Sequence, residues 1–539
     1  MKYNNSNRSV LIPILFAITL VAGILIGFYL PVRNKAPQQS GFRIRNDKIN
    51  SVLNIIESDY VDTVNRNELI EAAIPAILKK LDPHSVYIPA KDLQRANEPL
   101  QGNFDGIGIS FNMMTDTILV ISTIPGGPSE KVGLMAGDKI IFVNDSLVAG
   151  KQMSDEKVMG MLKGPRGTVV RIRLMRKGYK DLIPFEITRD KIPIASVDVS
   201  YMINDQTGYI KINNFAMTTF DEFLKSLEDL KNSGMKSLIL DLRENSGGVM
   251  EAAIKIADQF LREGQMIVYT VGRAQPRNEA VASGKGEFED GDLVLLIDEF
   301  SASASEILAG AIQDNDRGTI IGRRSFGKGL VQEPVPFADG SGMRLTIARY
   351  YTPTGRSIQK PYHNNTNNGF DDYFADLNLR VERGELEVSD SIHFADSLKF
   401  TTPGGKTVYG GGGIMPDIFI PVDTTGRSPY FIASRPLIYR FALKYTEDNR
   451  DKLKQFTNVN DMEKYLDKQG LLDKFIIFAD KNGVRRDANG IRISGNIIDI
   501  QLKAYIARNM LDNKGFYPIW KELDTTLKYA IDYLNKKKV

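Results

Sequence analysis

Residues 293–313 read LVLLIDEFSASASEILAGAIQ, and this stretch decides the fold class. The unbroken apolar run of residues 293–297 suits a strand buried on both faces, because a strand with one wet face would alternate. A polar turn carrying Ser301, Ser303 and Ser305 follows, and apolar residues then recur at helical spacing over residues 306–313. The same grammar appears upstream. Leu238-Ile239-Leu240-Asp241 is a short buried strand ending in the Gly247-Gly248 turn, and AAIKIADQFL (residues 252–261) is an apolar helix. A third strand starts at residues 319–321. Strands alternating with helices imply a parallel or mixed sheet covered by helices, here over residues 190–426.

Outward from this α/β unit the pattern changes. Residues 102–189 hold short β-rich runs (GIGISF, TILVIST, KIIFVND, TVVRIRLMR, LIPFEIT) punctuated by Gly, Pro and Asp. Residues 31–101 read as helical, with Ile49, Val52, Leu53 and Ile56, then Leu69, Ala73, Ile77 and Leu81 at three- and four-residue spacing. Residues 427–539 are again mainly helical, with Ile498, Leu502, Tyr505 and Ile506 on one stripe. A chain of 539 residues exceeds one core, so several domains are expected.

Residues 1–9 form a short tail, and residues 10–30 (VLIPILFAITLVAGILIGFYL) carry no charge. As a helix that run is about 31 Å long, which spans a hydrocarbon core. It lacks a small-x-small cleavage site and ends in Phe28-Tyr29-Leu30-Pro31, which predicts an uncleaved transmembrane signal-anchor.

Composition excludes several chemistries. With no cysteine there is no thiol nucleophile, disulfide or cysteine zinc site. The three histidines, His84, His363 and His393, form no pair at metal-ligand spacing. A net charge of +3 over the whole chain gives no field that would recruit nucleic acid. The basic Lys536-Lys537-Lys538 is a solvated end, and the polar stretch 363–390 reads as a surface elaboration without catalytic role.

Two residues could carry chemistry together. Ser305 with Glu306 reads as a helix cap, but Ser303, at a strand-to-helix turn, lies beside helix N-terminal amides that suit a nucleophile generating an oxyanion. Lys328 follows 25 residues later between Gly327 and Gly329. Together with Gly322 it mimics the phosphate-cradling G-x-x-x-x-G-K-[ST] loop, but Gly329 stands where the Mg²⁺-binding hydroxyl belongs. A buried lysine lowered from about 10.4 to about 7–8 would instead serve as a neutral base, at about 3–4 kcal/mol. A Ser–Lys dyad needs neither histidine nor metal.

Several longer motifs agree. SASASE (residues 301–306), SFGKGLVQ (325–332), DLRENSGG (241–248), YYTPTGR (350–356) and LDPHS (81–85) together resemble the carboxyl-terminal processing peptidases, or tail-specific proteases. The likeness covers about residues 41–423. Gly106-Ile107-Gly108-Ile109, followed by PGGPSEKVGL (125–134) and Ala136-Gly137-Asp138, resembles a PDZ domain. The resemblance implies a ClpP/crotonase-like α/β peptidase core with an inserted PDZ domain over 102–189, flanked by the two helical regions. It implies Ser303 as nucleophile, Lys328 as general base and Gln332 as the residue orienting the lysine. The backbone N–H groups of Gly248 and Ala304 would form the oxyanion hole, with Ser246 standing where the family usually has proline. Gly106, Ile107, Gly108 and Ile109 would bind a substrate's terminal carboxylate, and Arg166 would gate the site when a tail docks. Asp314 also matches a family position, and a carboxylate after an apolar helix reads as structural.

The expectation is a serine endopeptidase needing no cofactor and no metal. It would act on protein or peptide substrates with free, apolar C-termini, as a homo-oligomer or with an adaptor protein. Residues 10–30 would hold it as a single-pass protein in the inner membrane, with the catalytic part in the periplasm or cell envelope. The competing readings are a PDZ scaffold with an inactive core and a P-loop nucleotidase.

Overall fold

The computed structural model describes residues 47–113, 116–362, 369–392 and 394–537. The expected anchor at residues 10–30, and also His363 and His393, lie outside them. Among the described residues no helix is long and apolar enough to cross a membrane.

The described residues divide into two compact units, with the division between residues 73 and 74. In the first, the helix Lys48–Asp59 is capped by Asp47, and Arg66 donates to Asn54 at 2.8 Å and Glu57 at 3.0 Å.

The centre of the second unit is a six-stranded sheet, β1 to β6, of Val197–Met202, Thr207–Ile212, Ser237–Asp241, Asp292–Ile297, Thr319–Gly322 and Ile418–Phe419. Spatial order equals chain order; the β1–β2 pair is antiparallel and the others are parallel. The buried-strand reading of residues 293–297 holds, since every residue from Leu293 to Ile297 is buried. Helices α1 (Thr219–Asn232), α2 (Met250–Asp258) and α3 (Ala304–Asp314) cover one face, sealing Ile210, Leu238, Leu240, Leu293, Leu295 and Ile297 from water.

The opposite face is covered by the C-terminal region. Leu527, Ala530 and Leu534 of the helix Thr525–Lys537 pack on Tyr209, Ile239, Val294, Leu296 and Ile321. Each leucine buried there contributes about 1.5–3 kcal/mol over exposure. The preceding helix Ala488–Trp520 breaks its regular dihedrals at Leu511 and Asp512 (φ 51°). After that bend Asn513 donates to Asp198 of β1 at 2.6 Å, and Tyr517 donates to the same carboxylate. The region is thus a second layer on the central sheet, as well as a helical bundle with its own apolar cluster.

A five-stranded antiparallel sheet stands beside the core. Its long strand Gly342–Tyr351 pairs with Val86–Ile88, Leu330–Pro336 and Met266–Val271, and the last pairs with Asn278–Val281. The strand Val86–Ile88 lies in the region read as purely helical. It follows directly on LDPHS and holds that motif against Gly342–Tyr351.

The β-rich insertion forms a sheet in the order Ile109–Asn112, Ile118–Thr123, Lys139–Val143, Val169–Met175, Ile183–Thr188. A two-stranded antiparallel stalk tethers it, where Asn103–Gly106 pairs with Asp190–Pro193 as the chain goes in and comes out. Ile109–Asn112 is an edge strand, preceded by a break at Gly108 (φ 73°) rather than continuous with Gly106. Leu119 and Ile121 on the next strand pack on Leu443 of the C-terminal helix Pro429–Leu453.

Candidate active site

Ser303 is the N-cap of α3, at φ 55° and ψ −113°. Positive φ is costly for a residue with a Cβ and persists only where surrounding structure over-determines it. What holds it is Glu306, whose Oε2 accepts from the Ser303 N–H at 2.8 Å. The helix therefore starts two residues earlier than expected, and the cap is Ser303 rather than Ser305. The Ser305 hydroxyl instead donates to the Asn245 carbonyl at 2.9 Å.

Glu306 is fully buried and does more than cap. Its Oε1 accepts from the Ser325 hydroxyl at 2.5 Å and the Gly327 N–H at 2.7 Å, and its Oε2 also accepts from the Lys328 N–H at 2.9 Å. With the Ser303 N–H, these donors match the acceptor capacity of an ionised carboxylate. Burial pushes its pKa up, and the donors pull against that. One carboxylate thereby fixes the serine turn to the lysine loop. The Tyr350 hydroxyl makes a second tie, lying against the carbonyls of Ser303 (3.1 Å) and Lys328. Sequence spacing could not reveal either bridge, since a Glu three residues after a cap looks like an ordinary capping box.

Lys328 is half-buried. Desolvation lowers its amine below the usual 10.5, aided by Arg344 and opposed by the charges of Glu306 and Asp82. Lys360, nearby, differs in having a carboxylate partner: its Nζ lies 3.0 Å from Asp376 and stacks 3.8 Å from the centre of the Phe326 ring. Among the described residues Lys328 forms no ion pair.

Gln332 lies on the strand Leu330–Pro336, next to a bulge at Val331/Gln332. Its Nε2 donates to Thr346 Oγ1 at 3.2 Å.

The Gly-Gly turn lies against Ser303. A Cβ at Gly247 (φ 98°) would meet Ser303 Cβ at 2.7 Å and Ala304 N at 2.9 Å, so only glycine fits. Asn245 shapes this turn, accepting from the Gly247 N–H at 2.9 Å and donating to the Ile212 carbonyl at 2.8 Å. Val249 N–H and the Gly247 carbonyl pair with Phe215, which leaves the Gly248 N–H outside that ladder. Ala304, first in α3, has no intrahelical acceptor for its own N–H. Ser246 is exposed where the turn begins. At the base of the turn, buried Asp241 pairs with Arg243 at 2.6 Å, and Arg243 pairs with Asp524 of the C-terminal region at 2.7 Å. The Arg243 charge and that of Lys211 hold the Asp241 carboxyl far below its usual range despite its burial.

Stretch 363–390, expected as a surface elaboration, is not one in its described part. The helix Gly369–Glu382 places Arg380, 2% exposed, against the lysine loop, where it donates to the carbonyls of Ser325 (2.9 Å) and Phe326 (3.1 Å). Arg324 pairs with Glu385 in the same stretch.

Asp314, at the far end of α3, lies away from this cluster in a pair with Arg356 at 2.6 Å, both side chains fully buried. Arg166 is 67% exposed and pairs with Asp190 at 2.6 Å, on the stalk rather than on the core. In the β-rich insertion, Ile107 is 2% exposed. Ile109 and Phe111 of the edge strand pack half-buried beside Val158 and Leu162 of the helix Asp155–Leu162.

An α/β core with a strained serine joined to a lysine loop, bearing an inserted PDZ domain, defines a serine-type peptidase. Residues 206–365 match peptidase family S41, and residues 99–175 match the PDZ domain. Residues 31–92 match the N-terminal domain of the activating protease CtpB, and residues 430–512 match a family of unknown function. The chain is 36% identical over 309 residues to a carboxy-terminal-processing protease of Bartonella bacilliformis, covering 56% of this chain and 70% of that protein. It is 33% identical over 319 residues to carboxy-terminal processing protease CtpB of Bacillus subtilis, covering 58% of this chain and 65% of that one. A solved photosystem II D1 C-terminal processing protease is similar at 29% identity, over 57% of this chain and 89% of that one, with a TM-score of 0.33. The chain belongs to the carboxy-terminal processing protease family.

Proposed function

We propose that this protein is an endopeptidase that takes the free, apolar C-terminus of a protein through its PDZ domain and cuts the chain by way of a Ser303 acyl-enzyme. The edge strand Ile109–Asn112 would accept the tail as an added strand, its carboxylate at residues 106–109. Neutral Lys328 takes the proton of the Ser303 hydroxyl as its oxygen adds to the scissile carbonyl. The N–H groups of Gly248 and Ala304 stabilise the oxyanion, each worth about 2.7–4 kcal/mol in such sites. The resulting ammonium gives its proton to the leaving amine, and the same lysine then activates the water that releases the acyl group. The observation that carries this reading is the bridging of Ser303 and Lys328 by Glu306, beside a lysine whose pKa burial lowers.

The test compares an unfolded substrate carrying an apolar tail with its C-terminally amidated form. Wild type is expected to cleave the free form faster, Ser303→Ala neither, and Arg166→Ala without preference between them. Equal hydrolysis by Ser303→Ala would leave only a PDZ scaffold at this site. The uncharged run at residues 10–30 supports a single-pass anchor in the inner membrane with the catalytic part outside. Digestion of that part by protease added to spheroplasts tests the placement, and its full protection would reverse it.

A further inference from the structure

The LDPHS motif takes no part in the chemistry above, yet its acid reaches the active site by one defined route. Asp82 is 5% exposed. Its Oδ1 accepts from the N–H groups of His84 and Ser85, both at 2.8 Å, and its Oδ2 accepts from the Ser85 hydroxyl at 2.6 Å. The same Oδ1 accepts from the Thr346 hydroxyl at 3.0 Å. Thr346 sits opposite Gln332 in the strand register, and its N–H donates to Ser85 Oγ at 3.1 Å. Every proton in this chain has a set direction. A carboxylate only accepts, so the Thr346 hydroxyl gives its single proton to Asp82 and keeps lone pairs for Gln332. Gln332 must then turn its NH₂ end toward Thr346, which it does at 3.2 Å.

We propose that Asp82 and Thr346 are positioning residues that fix the Gln332 amide so that it offers its oxygen, an acceptor, to the Lys328 amine. This rests on the Ser303–Lys328 reading. A neutral amine that donates one N–H to Gln332 Oε1 keeps its lone pair free for the Ser303 hydroxyl. A reversed amide would aim an N–H at that lone pair and block the base. The role parallels that of an acid that holds a catalytic histidine in the correct tautomer. Asp82 is also near enough to Lys328 for its charge to act on the amine.

Thr346→Val removes the hydroxyl at nearly constant volume. It is expected to lower kcat for a peptide substrate on the order of 10²-fold with KM unchanged, while Thr346→Ser restores most of the rate. The pH profile separates positioning from loosening. Losing the acceptor removes a partner of the ammonium, so the limb where kcat/KM rises with pH moves to lower pH. A loosened, wetter site would move it up toward 10.5, the value of an unburied lysine. Unchanged kcat in Thr346→Val, or an upward shift of the limb, overturns the relay. Ser303→Ala and Lys328→Met run alongside, and activity in those variants would remove the dyad on which the relay rests. If both are inactive while Thr346→Val is unaffected, the relay alone is wrong.

Discussion

Lys328→Met is expected to abolish turnover, on the order of 10⁴-fold or more in kcat, while leaving tail binding to the PDZ domain unchanged. Methionine matches the lysine stem in length but carries no base, and losing one member of a catalytic unit costs nearly as much as losing all of them. The same substitution is expected to stabilise the fold. The folded pKa of Lys328 lies below its unfolded value of 10.5, so the native state binds fewer protons. That penalty is complete below the folded pKa and is relieved as pH rises toward 10.5. At neutral pH the methionine variant should therefore have the higher denaturant midpoint, and the gap should shrink in alkali. A variant that is inactive and also less stable would mean that Lys328 is a structural ion rather than a desolvated base. Wild-type kcat/KM should rise with pH through a pKa below 10.5.

Asp314→Ala should be the most destabilising single change in the core. Its carboxylate meets Arg356 at 2.6 Å, accepts from the Thr354 hydroxyl at 2.7 Å and from the Thr354 N–H at 3.1 Å, and neither charged side chain touches solvent. Removing one member of a buried pair strands the other charge, at about 3–5 kcal/mol. The Arg356 guanidinium would keep only Gln313 and the Tyr409 carbonyl. The denaturant midpoint of the full-length protein checks this. A variant that loses activity with its midpoint unmoved would show Asp314 to act in the chemistry instead.

The sheet and its helices were legible because buried strands are continuous apolar runs, as in residues 293–297, and because Gly and Ser mark the turns between elements. In the β-rich insertion the strand Lys139–Val143 followed from the same signals, whereas the run GIGISF broke at Gly108 into two strands of different sheets. What was not legible depends on contacts between residues far apart in the chain. Glu306 looked like a cap because its local role is a cap; its hold on Gly327 and Lys328 spans 21 and 22 residues. Thr346 has no motif of its own, and it reaches Asp82 across 264 residues. The helix Gly369–Glu382 reads as polar because it buries Arg380 beside Tyr373, and the Arg380 charge is matched by Asp376 while its guanidinium serves loop carbonyls rather than an apolar core. Residues 427–539 read only as mainly helical, and it takes the uncovered face of the central sheet to explain where the leucines of the helix Thr525–Lys537 go.

The central claim is that Ser303 becomes acylated with Lys328 as the base. Acid quenching of the full-length protein within the first turnover of an activated acyl ester, followed by peptide mapping, tests it most directly. The account predicts close to one acyl group per chain, on the peptide containing Ser303 in wild type, and none on that timescale in Lys328→Met. Acylation at another residue, or equal labelling of Ser303 in Lys328→Met, would contradict it.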